Sequence, residues 1–144
     1  MVESMKIIDA EDLILGRLSA HIAKNLLKGE KIVVVNAEKI VISGKMDKIV
    51  EKYYGRRQMQ DKANPEHSPH WPRRPDLLVK RIIRGMLPFD SPRGKNAFRN
   101  LKVYTGIPGE FKETSKGAYE DMNKSKLNTK YITIQELCER LGYS

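Results

Sequence analysis

The first thirty-five residues constrain the fold more than any other part of the chain. Lys6–Asp9 is a short apolar-centred run, a candidate first strand. After it, Leu18, Ile22 and Leu26 recur every four residues, with Ala23 and Leu27 widening the stripe. That spacing puts these side chains on one face of a helix, and Gly29 is placed to stop it. Lys31–Val35 then reads as a strand that is continuously apolar rather than alternating, as expected when both of its faces are covered. Strand, helix and strand in so short a span predict two parallel strands joined by a right-handed crossover, the unit of an α/β fold. At 144 residues the chain has room for one domain with a modest core, or one domain with an appendage.

Downstream the pattern is less regular. Ile40–Ile42 suits a strand or a helical turn, and Ser43-Gly44 breaks it. Lys45–Tyr54 predicts a helix with Met46, Ile49, Val50 and Tyr53 on one side. Gly55–Pro75 holds Pro65, Pro69, Pro72 and Pro75, has no periodicity, and is expected as a loop. A loop of about twenty residues in a small domain needs a task. This one carries Arg56, Arg57, Lys62, Arg73 and Arg74. Asp76 is placed to cap a basic amphipathic helix, with Leu78, Ile82 and Met86 facing one way and Lys80, Arg81 and Arg84 occupying much of the rest. Pro88 ends it. Ser91-Pro92 starts another helix, running to about Leu101, with Arg93, Lys95, Arg99 and Lys102 around it. Val103-Tyr104 is a candidate last strand, Phe111–Lys130 is polar and weakly patterned, and Thr133 with Glu136 forms a capping box for a helix over 133–142. The expected division is an α/β core over 1–109, including the basic loop 55–75, and a C-terminal extension over 110–144.

Charge is distributed unevenly. The formal net charge is +9, yet residues 1–38 sum to −1 and residues 103–144 to zero. Residues 39–102 hold sixteen basic and six acidic side chains, a net +10. The excess therefore belongs to one face or one projection, and it calls for an acidic partner. Its clusters are Arg56-Arg57, Arg73-Arg74, Lys80-Arg81 with Arg84, and Arg93, Lys95 and Arg99. Arginine outnumbers lysine in them, and its planar guanidinium both forks onto phosphate and stacks on bases. Tyr53, Tyr54, His67, His70 and Trp71 are interleaved, an arrangement that suits unstacked RNA bases; Trp71 reads equally as a packing anchor for the loop. A membrane surface is a poor match, because the apolar stripes of these helices are narrow and needed by the core. DNA is disfavoured by the lack of helix-turn-helix or zinc-finger spacing.

Other chemistries find little support. Cys138, the one cysteine, sits beside Leu137 and Leu141 and reads as a small buried hydrophobe in a reducing compartment. His67 and His70 are too few for zinc, and His21 falls within the first helix, so no metal and no cofactor are expected. Gly44-Lys45 lacks the upstream glycine and following hydroxyl of a phosphate-binding loop, though Lys45 remains a candidate phosphate contact. Asp9, Glu11 and Asp12 cluster without a partner base. No apolar run reaches membrane-spanning length, and Met1–Asp9 does not read as a signal peptide.

Six motifs, in order, carry a resemblance: Ile8-Asp-Ala10, Leu15-Gly-Arg-Leu18, Val35-Asn-Ala-Glu-Lys-Ile40, Ser43-Gly-Lys45, Arg84-Gly-Met-Leu-Pro88 and Leu101-Lys-Val-Tyr104. Over roughly residues 5–109 the chain resembles the large-subunit ribosomal proteins numbered thirteen in the universal scheme. The direct run from Gly29 into Lys31, the charged tail and the Arg-rich 67–74 segment resemble the archaeal and eukaryotic-type branch, and the length suits an archaeal member. The resemblance implies a three-layer α/β/α fold around a small, mainly parallel sheet of about four strands. It implies large-subunit ribosomal RNA as partner, a part in early subunit assembly, ribosomal protein three as neighbour, a cytoplasmic place in the ribosome, and no catalysis. The family's basic positions fall on Arg17, Lys39, Lys45, Arg84, Arg93, Arg99 and Lys102. On this view loop 55–75 orders when RNA is present. Two other readings are a free-standing RNA-binding regulator and a small α/β enzyme for an anionic substrate; the enzyme requires a concave pocket holding a group of perturbed pKa.

Overall fold

The computed structural model describes residues 5–111 and 120–142. The expected crossover is present. β1 (Met5–Asp9) and β2 (Lys31–Val35) pair in parallel, from Met5 opposite Lys31 to Asp9 opposite Val35, and α1 (Leu15–Leu27) joins them. β3 (Val41–Ser43), α2 (Met46–Gln58), α3 (Pro75–Arg84), α4 (Pro92–Arg99), β4 (Leu101–Val103), β5 (Tyr131–Thr133) and α5 (Ile134–Arg140) follow.

β2 is the central strand, with β1 on one side and β4 parallel on the other. Its unbroken apolar run matches burial on both faces, since Ile32, Val33, Val34 and Val35 are all buried. Ile32 and Val34 join Ile8, Leu101 and Val103 in the main core, together with Leu18, Ile22 and Leu26 of α1 and Leu78, Val79 and Ile83 of α3. Val33 and Val35 alternate to the other face and cluster with Ile7 and Tyr104; no residue of a described helix belongs to that cluster. Each large aliphatic side chain buried this way contributes about 1.5–3 kcal/mol.

The parallel sheet forms with three strands rather than about four. Three strands are parallel, and β3 pairs separately with β5 in an antiparallel ribbon, Val41 opposite Thr133 and Ser43 opposite Tyr131. The chain is turned out of the parallel sheet straight after β2. Asn36 adopts a left-handed φ of 59°, which asparagine tolerates better than most residues, and its Nδ2 donates to Asp9 Oδ1 at 2.9 Å. A turn of 3-10 helix over Ala37–Lys39 follows and redirects the backbone.

Several boundaries differ from the sequence expectation, and α3 ends at Arg84, so Met86 is exposed beyond it rather than on its apolar face. α2 continues through the exposed Gly55 to Gln58, so Arg56 and Arg57 are helical and the loop spans 59–74. An internal glycine costs about 1 kcal/mol but ends a helix only where a left-handed turn follows, and Gly55 keeps a negative φ. α3 starts with Pro75, and Asp76 lies inside its first turn, where it accepts an ion pair from Arg74 at 3.0 Å rather than capping the helix. α4 stops at Arg99, so Leu101 opens β4 and Lys102 is a strand residue.

The described part of the segment after residue 110 shares the main core. Ile134, Leu137, Cys138 and Leu141 are buried with Leu18 and Leu78, Thr133 Oγ1 accepts from the Glu136 amide at 3.2 Å, and Gly142 takes a φ of 104° just beyond α5. Met122 is also buried, and its carbonyl accepts from the Ile14 amide at 2.7 Å. Of the stretch read as weakly patterned, 112–119 lies outside the described residues.

Candidate nucleic-acid interface

α3 is built with two working faces. Leu78, Val79 and Ile83 are buried, while Lys80, Arg81 and Arg84 are half-buried along the opposite side. The turn to α4 is pinned. Ser91 Oγ donates to the Pro88 carbonyl at 2.8 Å and accepts from the Gly94 amide at 3.3 Å. A Cβ at Gly94 would lie 2.0 Å from that same carbonyl oxygen, so the approach of turn and helix requires glycine. The relation of the two helices is therefore set by local geometry.

Aromatic rings hold the cations of this face in place. Phe89 and Phe98 meet edge to face at 5.6 Å, with Arg84 4.2 Å above Phe89 and Lys80 5.3 Å above Phe98. At the other end Trp71 meets Tyr53 edge-on at 6.1 Å, and the guanidinium groups of Arg56 and Arg81 lie 4.7 and 4.5 Å from the Trp71 ring. Arg57 donates to the Trp71 carbonyl. The loop end that carries Trp71 is thus tied to α2 and α3 by the protein's own residues. The anchor reading of Trp71 holds, and the anchoring groups are the very arginines expected to face a partner.

Between the two aromatic groups opens a cleft of about 730 Å³. Arg57, Lys80, Arg81 and Arg84 line it, with Trp71, Phe89, Phe98, Leu77 and two prolines as the apolar part. Its lining contains no carboxylate, thiol or hydroxyl, and His70 is its one histidine. Burial lowers the pKa of Arg81, and the neighbouring Arg84 and Arg56 lower it further; burial and then Arg73 lower that of Arg57. Arginine remains charged under such shifts. The cations are crowded and partly desolvated, and a bound anion relieves that. Without an acid–base pair the cleft does not meet the requirement of the enzyme reading.

The other predicted positions are spread around the molecule. Arg93, Lys95 and Arg99 project from α4 into solvent. Arg74 is held by Asp76, and Arg73 lies against Gly142 beyond α5, 3.8 Å from where a Cβ would stand. Lys39 is 3.9 Å from Glu11. Lys45 precedes α2 and, with Lys48 and Lys52, lines a small hollow of about 250 Å³. Arg17 donates to the Asp121 carbonyl at 3.1 Å. Lys102 pairs opposite Val33, which puts it on the sheet face away from the main core. Sequence reasoning missed Phe89 and Phe98 as supports for cations. The available signal was an aromatic residue close in sequence to each basic helix.

Among the described residues no group of His, Cys, Asp and Glu could hold a metal ion, and no helix is long and apolar enough to cross a membrane. Cys138 is buried, and burial, with Asp76 and Glu139 nearby, pushes its thiol up to about 12. A thiol so raised is inert at neutral pH.

Comparison with known proteins gives a consistent picture. The family described as ribosomal protein L13 matches residues 3–110. The large ribosomal subunit protein uL13 of Methanocaldococcus jannaschii is 46% identical over 140 residues, covering 96% of this chain and 98% of that one. The protein of the same description from Archaeoglobus fulgidus is 43% identical, covering 98% and 90%, and that from Sulfurisphaera tokodaii is 43% identical, covering 99% and 97%. These relatives are archaeal, as the resemblance implied.

Proposed function

The chain belongs to the ribosomal protein L13 family, whose role is structural and not catalytic, and from that premise we propose that it binds and braces large-subunit ribosomal RNA through the cationic face of α2, α3 and α4. The observation that carries this reading is the cleft, where Arg57, Lys80, Arg81 and Arg84 converge and no carboxylate answers them. Cations fixed on aromatic rings lose less freedom on meeting phosphate than free side chains do, and rings between guanidinium groups suit splayed RNA bases better than a closed duplex.

Arg56 adjoins the cleft at Trp71, and Arg73, Arg74, Arg93, Lys95 and Arg99 supply further cations outside it. Lys39 and Lys45 lie on other turns, Arg17 on α1 and Lys102 on the opposite sheet face. Contacts from several sides fit a protein that pins separate RNA segments and so supports early subunit assembly. Such contacts position the RNA more than they read its sequence. The same reading places the protein in the cytoplasm, in the ribosome beside ribosomal protein three. Affinity for large-subunit RNA measured against salt is the test. The expected result is a logarithmic slope of several units; a nearly salt-independent constant overturns the proposal.

A further inference from the structure

The cleft is more than a charged patch, and its shape narrows the kind of RNA it takes. Phosphate contacts need only cations on a convex or flat surface. Here the cations rim a concavity of about 730 Å³, within the roughly 300–1,000 Å³ typical of small-ligand pockets. Apart from Leu77, its apolar part is made of flat groups: the Trp71, Phe89 and Phe98 rings and the prolines Pro69 and Pro72. The Arg81 guanidinium, 4.5 Å from the Trp71 ring, adds a further plane on which a base can stack. An acidic peptide would satisfy the cations but leave these planes without a matching surface.

We infer that the cleft receives one nucleotide extruded from ribosomal RNA, its base stacked against the Arg81–Trp71 layer and its phosphates met by Arg57 and Arg84. The inference rests on the RNA-binding reading and specifies the RNA feature recognised there.

Trp71 is the one tryptophan in the chain, so intrinsic fluorescence reports on the cleft itself. The full chain is titrated with end-labelled RNA hairpins that differ at a single position: an unpaired base, an abasic site, or no extra residue. Anisotropy of the label follows total binding. The expected result is quenching of Trp71 by the base-bearing bulge and affinity about tenfold above that of the abasic one, the scale of one base stacked on an aromatic platform. Trp71→Phe keeps a ring and should keep the preference; Arg81→Gln should lose it, and a preference unchanged in Arg81→Gln overturns the stacking arrangement. Equal affinity for all three hairpins with a steep salt slope overturns the nucleotide pocket and leaves the RNA-binding reading standing. If the large-subunit RNA transcript binds and the hairpins do not, ultraviolet crosslinking on the transcript decides: a base adduct on Trp71 or Phe89 supports the pocket and its absence overturns it. No binding of any of these RNAs at low salt overturns both readings. Quenching of Trp71 by polyglutamate at lower concentration than by the bulged hairpin overturns the pocket in favour of an acidic protein segment.

Discussion

α1 and α3 lie side by side in one core and differ in what they do with the rest of their surface. Both bury a stripe of large aliphatic residues, Leu18, Ile22 and Leu26 in one and Leu78 and Ile83 in the other. Beyond its stripe α1 presents Gly16, Arg17, Ala20 and Lys24 to solvent. α3 instead holds Lys80, Arg81 and Arg84 half-buried, each over an aromatic ring from a neighbouring segment. The same packing duty is compatible with a sparsely charged outer face or with an organised cationic one. What separates them is the supply of rings from the loop before α3, the turn after it and α4. Stability and RNA binding should therefore respond to different substitutions.

The largest effect is expected from emptying the shared core on the α1 side. Leu18→Ala or Ile22→Ala removes a fully buried side chain and should cost about 2–5 kcal/mol in denaturant unfolding. The RNA affinity of the fraction that remains folded should stay near that of the unaltered protein. A core substitution that left stability intact but weakened RNA binding severalfold would break the comparison.

Gly94→Ala comes next. The added methyl would stand 2.0 Å from the Pro88 carbonyl oxygen, so the turn between the basic helices must open. A loss of about 1–3 kcal/mol is expected, as for overpacking elsewhere. Here stability and RNA affinity should fall together, because the turn carries Phe89 and sets the relation of α3 to α4. Circular dichroism melts beside RNA titrations would show it; a loss of stability with unchanged affinity would separate the turn from the binding face.

These substitutions also mark how far the sequence reading reached. Helix α1 and strand β2 are legible because their apolar spacing is dictated by contacts that each element makes along its whole length. The end of α2 is not, since Gly55 interrupts the pattern without interrupting the backbone. Strand β5 is three residues long and exists through its pairing with β3, a partner some ninety residues away in sequence. Lys102 shows the same limit at the site. It follows the helical run of basic residues, and only strand register reveals that it faces away from them. The arginines of the cleft were legible as a charge excess, whereas their arrangement was not. Arg56 and Arg81 reach Trp71 from two different helices, a convergence that no local spacing encodes.

On the α3 side, Arg84→Gln should leave the fold nearly untouched, since the lost cation–π contact with Phe89 amounts to about 0.5–1 kcal/mol. Its effect should appear in binding. One phosphate contact fewer lowers the salt slope by about one unit and weakens affinity severalfold at moderate salt. An unchanged slope would mean that Arg84 serves Phe89 alone.

The smallest effect is a dependence of stability on pH that belongs to α1 and not to the arginine face. Burial lowers the pKa of His21 from its ordinary value of 6.5, and Lys6 and Lys24 act in the same direction against Asp121 and Glu30. The Asn25 amide nitrogen lies 3.0 Å from the ring Nε2, where it can donate only to a neutral ring. The unfolded chain therefore takes up the proton first as the solution is acidified. The stabilising contribution of the neutral ring is complete above 6.5 and is lost as pH falls below it toward the lower folded value. Denaturant midpoints at pH 7.5 and 5.5 should drop less in His21→Gln than in the unaltered protein. Arg84→Gln, by contrast, should show the full drop, since an arginine stays charged across this range. An equal drop in all three proteins would remove His21 as its source and erase this last difference between the two helices.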